Sequence, residues 1–223
     1  MKKGDKYNIV LPPIDLAFPW LCPAIHRHKL FNFIAEKRFM KYTSLLLLFL
    51  VCFVVSACQA NPVPLSAGEI LKEACQKAAQ EKKNVFIIFH ASWCGWCHRM
   101  DSSMNDTACK NFFDDNYIIE HLVVDESKDK QYLENPGADE FRKKYHGDGQ
   151  GIPYWLIFDK DGRLLADSGM RPDGAGFDAP GDNTGCPATE KEVVYFIDVL
   201  KKTSRLNFAQ QAAIEKRFRQ NEN

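Results

Sequence analysis

The sequence has no surplus of charge: 29 basic residues meet 29 acidic ones, a formal net charge of zero. Without a basic excess there is no electrostatic footprint for nucleic acid, so none is expected as a partner. No apolar run is long enough to cross a bilayer comfortably. The longest, Leu45 to Ala57 (LLLLFLVCFVVSA), has 13 residues, where a spanning helix takes about 20. There is no internal repeat, no second C-x-x-C and no H-x-x-x-H, which leaves little from which to build a structural zinc site. Eight cysteines are present, but their spacing is not that of a disulfide scaffold.

What is there is a globular composition, 45% hydrophobic and 26% charged, at a length that suits one domain with appendages. The charge is unevenly placed. Residues 1–57 hold 8 basic and 3 acidic residues, and residues 58–223 hold 21 and 26. That mild acidic excess favours solubility.

The run Leu45 to Ala57 has the length of a secretory h-region, with Lys41 as its positive flank. It ends Val55-Ser56-Ala57-Cys58, which resembles the lipobox of bacterial lipoproteins. Small side chains there admit the peptidase, and the Cys58 thiol accepts a diacylglyceryl group and becomes the mature N-terminus. An ordinary cleaved signal or an uncleaved anchor would use the same run, and each would export the downstream domain. Met40-Lys41-Tyr42-Thr43 reads as the natural start. Residues 1–39, with four prolines and no sustained period, then read as a mis-assigned upstream extension. The expected division is 40–57 signal peptide, 58–65 lipidated tether, 66–202 folded domain and 203–223 C-terminal helix. By resemblance to lipoprotein sorting, Gln59 in place of Asp points to the outer rather than the inner membrane of a bacterial envelope, facing the periplasm.

Within the folded part, Ser66 and Glu69 form a capping box, and Ile70, Leu71, Ala74, Cys75, Ala78 and Ala79 recur at helical spacing up to Lys83. Val85-Phe86-Ile87-Ile88-Phe89 reads as a strand buried on both faces. A helix follows through Met104, and Asp106 caps another with Ala108, Cys109, Phe112 and Phe113 inward. Strands are expected at Tyr117 to Asp125, Tyr154 to Phe158 and Arg163 to Ala166, the last two joined by an Asp161-Gly162 turn. Ala138 to Tyr145 makes a short helix. The basic stretches at 128–130 and 142–144 are read as solvated. Residues 168–187, rich in Gly, Pro and Asp, read as an exposed loop that carries Cys186, an incidental cysteine rather than a spare reactive thiol. Thr189 and Glu192 cap a helix with Val193, Val194, Phe196, Ile197 and Leu200 inward, and Asn207 to Phe218 forms the last helix. This order predicts an α/β fold, a central mixed sheet with helices on both faces.

The chemistry concentrates at Trp93-Cys94-Gly95-Trp96-Cys97. Thiol–disulfide exchange needs one accessible, partly ionised thiol and a second thiol close enough to resolve the mixed disulfide. C-x-x-C at the start of a helix supplies both, because the unpaired N–H groups and the positive dipole end stabilise the first thiolate. A strand feeding that helix is the redox context for such a pair.

The segment VFIIFHASWCGWC resembles the strand–loop–helix of thioredoxins, Gly151-Ile152-Pro153 resembles their cis-proline loop, and Asp161-Gly162 resembles their next hairpin turn. The resemblance covers 66–202 and is strongest to small exported thioredoxin-like domains and to the C-terminal domain of thiol–disulfide interchange proteins. It implies a thiol–disulfide oxidoreductase in which Cys94 attacks, Cys97 resolves, Trp93 flanks the pair, and a cis Pro153 sets the Ile152 backbone for strand-like pairing with substrate. The partners implied are protein thiols and disulfides, with reduction fed by a membrane electron donor. No organic cofactor and no metal is required. Two positions depart from the family. Gly-Trp separates the cysteines where thioredoxins have Gly-Pro, and Ile88 stands where they carry a buried Asp six residues before the first cysteine. Glu126, Asp125 or a water would have to take over its proton-accepting role. His98 comes next as a solvated helix residue that tunes Cys94. Three rival readings stay open on the sequence. Cys94-Gly95-Trp96-Cys97-His98 also matches the c-type haem motif, zinc could take Cys94, Cys97 and His98, and a non-catalytic partner-binding module could keep a purely structural disulfide.

Overall fold

The computed structural model describes residues 63–172 and 174–222. The upstream extension, the signal segment, Cys58 and the start of the tether lie outside the described residues. Ser66 caps α1 (Ala67–Glu81): its hydroxyl accepts the Glu69 N–H, and the Glu69 carboxylate accepts the Ser66 N–H. The helix stops at Lys82, which takes a left-handed φ of 57°. Its buried face is Ala67, Ala74 and Ala78, small side chains that let the helix lie close to the sheet.

β1 (Asn84–His90) comes next. The sheet order is β2-β1-β3-β4, with β2 (Tyr117–Val123), β3 (Tyr154–Phe158) and β4 (Leu164–Asp167). β1 runs parallel to β2 and antiparallel to β3, and β3 runs antiparallel to β4. α2 (Gly95–Met104) and α3 (Lys110–Asp114) connect β1 to β2. α4 (Ala138–Lys144) precedes β3, and α5 (Glu190–Thr203) and α6 (Phe208–Arg219) close the chain. β1 is central and covered on both faces, which is why its sequence is an unbroken apolar run rather than an alternating one.

One face of the sheet packs Phe86, Ile88 and Trp155 against Met100 of α2, Phe196 of α5 and Phe218 of α6. The other packs Val85, Ile87, Phe89 and Leu156 against Ala74 and Ala78 of α1 and Ala138 of α4. The Phe196 ring lies 5.6 Å from Trp155 and 5.0 Å from Phe218, and such pairs add about 0.5–1.5 kcal/mol each beyond area burial. The C-terminal helix, delimited separately in the sequence, therefore shares the main core. After it, the turn Gln220–Glu222 buries Asn221, which accepts from the Ser103 hydroxyl of α2 and donates to the Pro187 carbonyl.

Several local expectations give way. The segment 168–187 is exposed through its middle, Gly174 to Asp178, as expected, but is anchored at both ends. Ser168, Thr184 and Cys186 are buried, β5 (Gly169–Met170) pairs with β6 (Asp182–Asn183), and Arg171 grips Asp167 with two hydrogen bonds of 2.6 and 2.9 Å. Its Gly, Pro and Asp content reported the exposed middle, not the anchored ends. Arg142, read with its neighbours as solvated, is buried and bonded to Asp125 and Asp139. Val194 is 49% exposed, because the buried stripe of α5 runs through Val193, Phe196, Ile197 and Leu200. Asp106 does not cap α3: Cys109 occupies that position, and the Asp106 carboxylate accepts from Ala108 N–H and Arg217.

Candidate active site

β1 ends at His90, opposite Val123 in the β2 register, and the chain turns through Ala91, Ser92 and Trp93 into α2. Cys94 is the N-cap: its N–H bonds to the Ala91 carbonyl at 3.1 Å, and its sulfur accepts the Cys97 N–H at 3.1 Å. A sulfur in that position receives the unpaired amides and the positive end of the helix. Cys94 and Cys97 are joined in a disulfide with Cα atoms 5.3 Å apart.

Ile152–Pro153 is a cis peptide. The Ile152 carbonyl oxygen lies 3.6 Å from Cys94 Sγ, so the proline loop faces the sulfur pair. Asn183, in the segment read as exposed, reaches that loop. Its Nδ2 donates to the Gly151 carbonyl at 2.7 Å and to the Pro153 carbonyl at 3.2 Å. No local pattern in the sequence marked Asn183 for this role, since its partners are some 30 residues away.

Accessibility is distributed differently from the reading that made Cys94 the open thiol. Cys94 is only 3% exposed in the disulfide form, with Ile152 packed beside it, while Trp93 and Trp96 are 60% and 49% exposed. The Trp93 indole donates to the Asp125 carbonyl at 2.7 Å. The Asp125 carboxylate receives the Arg142 guanidinium through bonds of 2.6 and 3.1 Å. Trp96 lies beneath Arg99 at 4.7 Å, a cation–π contact. Beside it is a cavity of about 340 Å³ lined by Ile152, Pro153, Asn183, Cys186 and Glu192.

Neither carboxylate considered as a stand-in for the missing Asp is free for the task. Asp125 is held by Arg142. Glu126 accepts from the Ser92 amide and, at 2.8 Å, from the Ser92 hydroxyl. Burial works to raise its pKa, but the Ser92 bonds outweigh that and keep it below the usual carboxylate value. His98 sits exposed on the first turn of α2 with Nε2 3.0 Å from the Ser92 carbonyl oxygen. The remaining described cysteines are poor nucleophiles. Burial pushes Cys75 upward, Cys109 to about 11 and Cys186 to about 12, so little thiolate exists at neutral pH.

Residues 68–160, from α1 through β3, match a family model described as thioredoxin-like. Solved structures similar to the chain include a disulphide isomerase from Xylella fastidiosa Temecula1, at 21% identity over 48% of this chain and 80% of that one with a TM-score of 0.37. The oxidised C-terminal domain of DsbD from Neisseria meningitidis is similar at 17% identity, over 63% and 98% of the two chains, with a TM-score of 0.37. The DsbH oxidoreductase is similar at 20% identity, over 64% and 86%, with a TM-score of 0.36. No curated protein matches the chain. The fold is thioredoxin-like, a mixed central sheet flanked by helices.

Proposed function

We propose that this thioredoxin-like chain is a thiol–disulfide oxidoreductase of the bacterial envelope that reduces protein disulfides through Cys94 and Cys97. The observation that carries the reading is the disulfide between the N-cap of α2 and its first turn, with the cis Ile152–Pro153 loop across from it. In the reduced protein the Cys94 thiolate, favoured by the helix N-terminus, attacks one sulfur of a substrate disulfide. A mixed disulfide forms and the other substrate sulfur leaves with the electron pair. Cys97 then attacks Cys94, closes the pair and releases the second substrate thiol, so two electrons pass from the pair to the substrate. In keeping with the resemblance to interchange-type domains, a membrane electron carrier returns the pair to the dithiol.

Changing Cys97 to Ser stops the second attack. The expected outcome is covalent complexes between Cys94 and envelope proteins, visible as higher bands on a non-reducing gel and removed by dithiothreitol. The burial of Cys94 favours a second reading, a non-catalytic binding module with a structural disulfide, and under it no such bands accumulate.

The lipid anchor is tested independently. Cys58→Ser is expected to release the chain from membranes on fractionation while leaving disulfide exchange intact. Persistent membrane association of that variant would require another anchor.

A further inference from the structure

The sheet face beneath α2 is apolar except at one corner. Side chains alternate along a strand, so Phe86, Ile88 and His90 share the face that α2 covers. On β2, Ile119 and His121 face the same way, and His121 sits beside Ile88 in the parallel register. The His90 and His121 rings meet edge to face with centroids 4.9 Å apart. His121 Nε2 lies 2.9 Å from Asp101 Oδ1. Asp101 is one helical turn beyond Cys97 on the same side of α2. Three elements thus bring His90, His121 and Asp101 together, with Asp101 one turn along α2 from the resolving cysteine.

Cys97 is buried. To attack, it must lose a proton in a buried setting, where the charged thiolate is disfavoured. The dipole end of α2 serves Cys94 rather than Cys97, whose own N–H is given to the Cys94 sulfur. Asp125 and Glu126 are engaged by Arg142 and Ser92, and Ile88 offers nothing. The His90 ring has no hydrogen bond to a described residue.

We infer that His90 is the proton acceptor for Cys97 when the mixed disulfide is resolved, with His121 and Asp101 as positioning residues. The inference rests on the exchange reading given above. The Cys97 proton passes to a His90 ring nitrogen. The freed electron pair forms the Cys97–Cys94 bond, the Cys94–substrate bond breaks, and the substrate leaves as a thiolate that takes a proton from solvent. The imidazolium returns its proton to solvent, so charge and electrons balance. Burial first, and the neighbouring His121 second, hold the His90 pKa below the ordinary imidazole value. Asp101 and Glu126 pull it back up, and His98 adds to the lowering. At pH 7 the ring is therefore neutral and has a lone pair to receive the proton.

The test is rapid mixing of the reduced full chain with a sub-equivalent of 5,5′-dithiobis(2-nitrobenzoate) from pH 5.5 to 9. The first thionitrobenzoate released reports attack by Cys94, and the second reports resolution by Cys97. In the unaltered protein the second phase is expected to rise with pH through the His90 titration and level off. In His90→Phe, which keeps an aromatic ring against His121, that inflection disappears and the second phase at pH 7 falls about a hundredfold. The gap closes as pH approaches the thiol's own range, and the first phase is unchanged. Proton NMR titration of His90 in the oxidised and reduced unaltered protein needs no variant, and different curves are expected in the two states. Absence of a second phase in the unaltered protein would overturn the exchange reading and this inference together. A second phase whose pH profile survives His90→Phe, or identical His90 curves in the two redox states, would overturn the inference alone.

Discussion

Cys94→Ser is expected to lower the turnover of disulfide reduction by about three orders of magnitude or more, the scale on which loss of a nucleophile acts. The reason is local. The residue at this N-cap receives the Cys97 amide and the field of the whole helix, and only a sulfur converts that field into an ionised nucleophile near neutral pH. A serine hydroxyl in the same place still caps the helix, so stability should hold while chemistry is lost. Outside the pair, the described cysteines cannot substitute, because Cys75, Cys109 and Cys186 are shifted toward the protonated thiol by burial. Insulin reduction followed by turbidity, with dithiothreitol as the terminal reductant, checks this. Retention of more than a small fraction of the rate by Cys94→Ser would remove the mechanism.

The second large effect concerns folding. Arg171→Ala is expected to destabilise the domain by about 3–5 kcal/mol, the usual result of removing one partner from a buried ion pair. The Asp167 side chain is 1% exposed. Its carboxylate would be left with the Gly169 amide alone. The lost guanidinium also serves the carbonyls of Gly169, Phe177 and Ala179, so the whole segment from β4 to β6 loses its organising centre. For a chain of this size, roughly 10 °C of melting temperature should go with it. The double variant Asp167→Ala/Arg171→Ala should recover much of the loss, because no charge is then stranded. Thermal melts of the three proteins decide the matter. If the single and double variants melt together, the pair does not carry the stability assigned to it. Asn183 leaves this same segment to hold the proline loop, so a loosened segment should also slow protein substrates more than small disulfides.

The parts of this architecture that were legible in the sequence are those governed by short-range rules. β1 announced itself because a strand covered on both faces has no polar phase. The capping boxes at Ser66 and Thr189 were readable because three-residue spacing fixes both partners. The Cys94–Cys97 pairing and the proline opposite it came from spacing and resemblance together. What escaped were contacts between distant segments. Arg142 belongs to a run of basic residues that looks solvated, and only the fold brings Asp125 over it, 17 residues away. Cys186 looked like a loop thiol until Asn221, 35 residues on, covered it. His90, His121 and Asp101 come from two strands and a helix, and no periodicity links them. Composition described the exposed middle of 168–187 faithfully, yet an ion pair and a two-rung ribbon tie down its ends.

The lashing of the proline loop by Asn183 limits how a visiting polypeptide can be held. With the carbonyls of Gly151 and Pro153 already accepting from Asn183, the Ile152 peptide group is the freer part of the loop for pairing with a client backbone. One or two such hydrogen bonds contribute on the order of 1 kcal/mol each. Under the exchange reading proposed above, docking of that kind would be shallow, indifferent to client sequence and quickly undone, as a carrier with many clients requires.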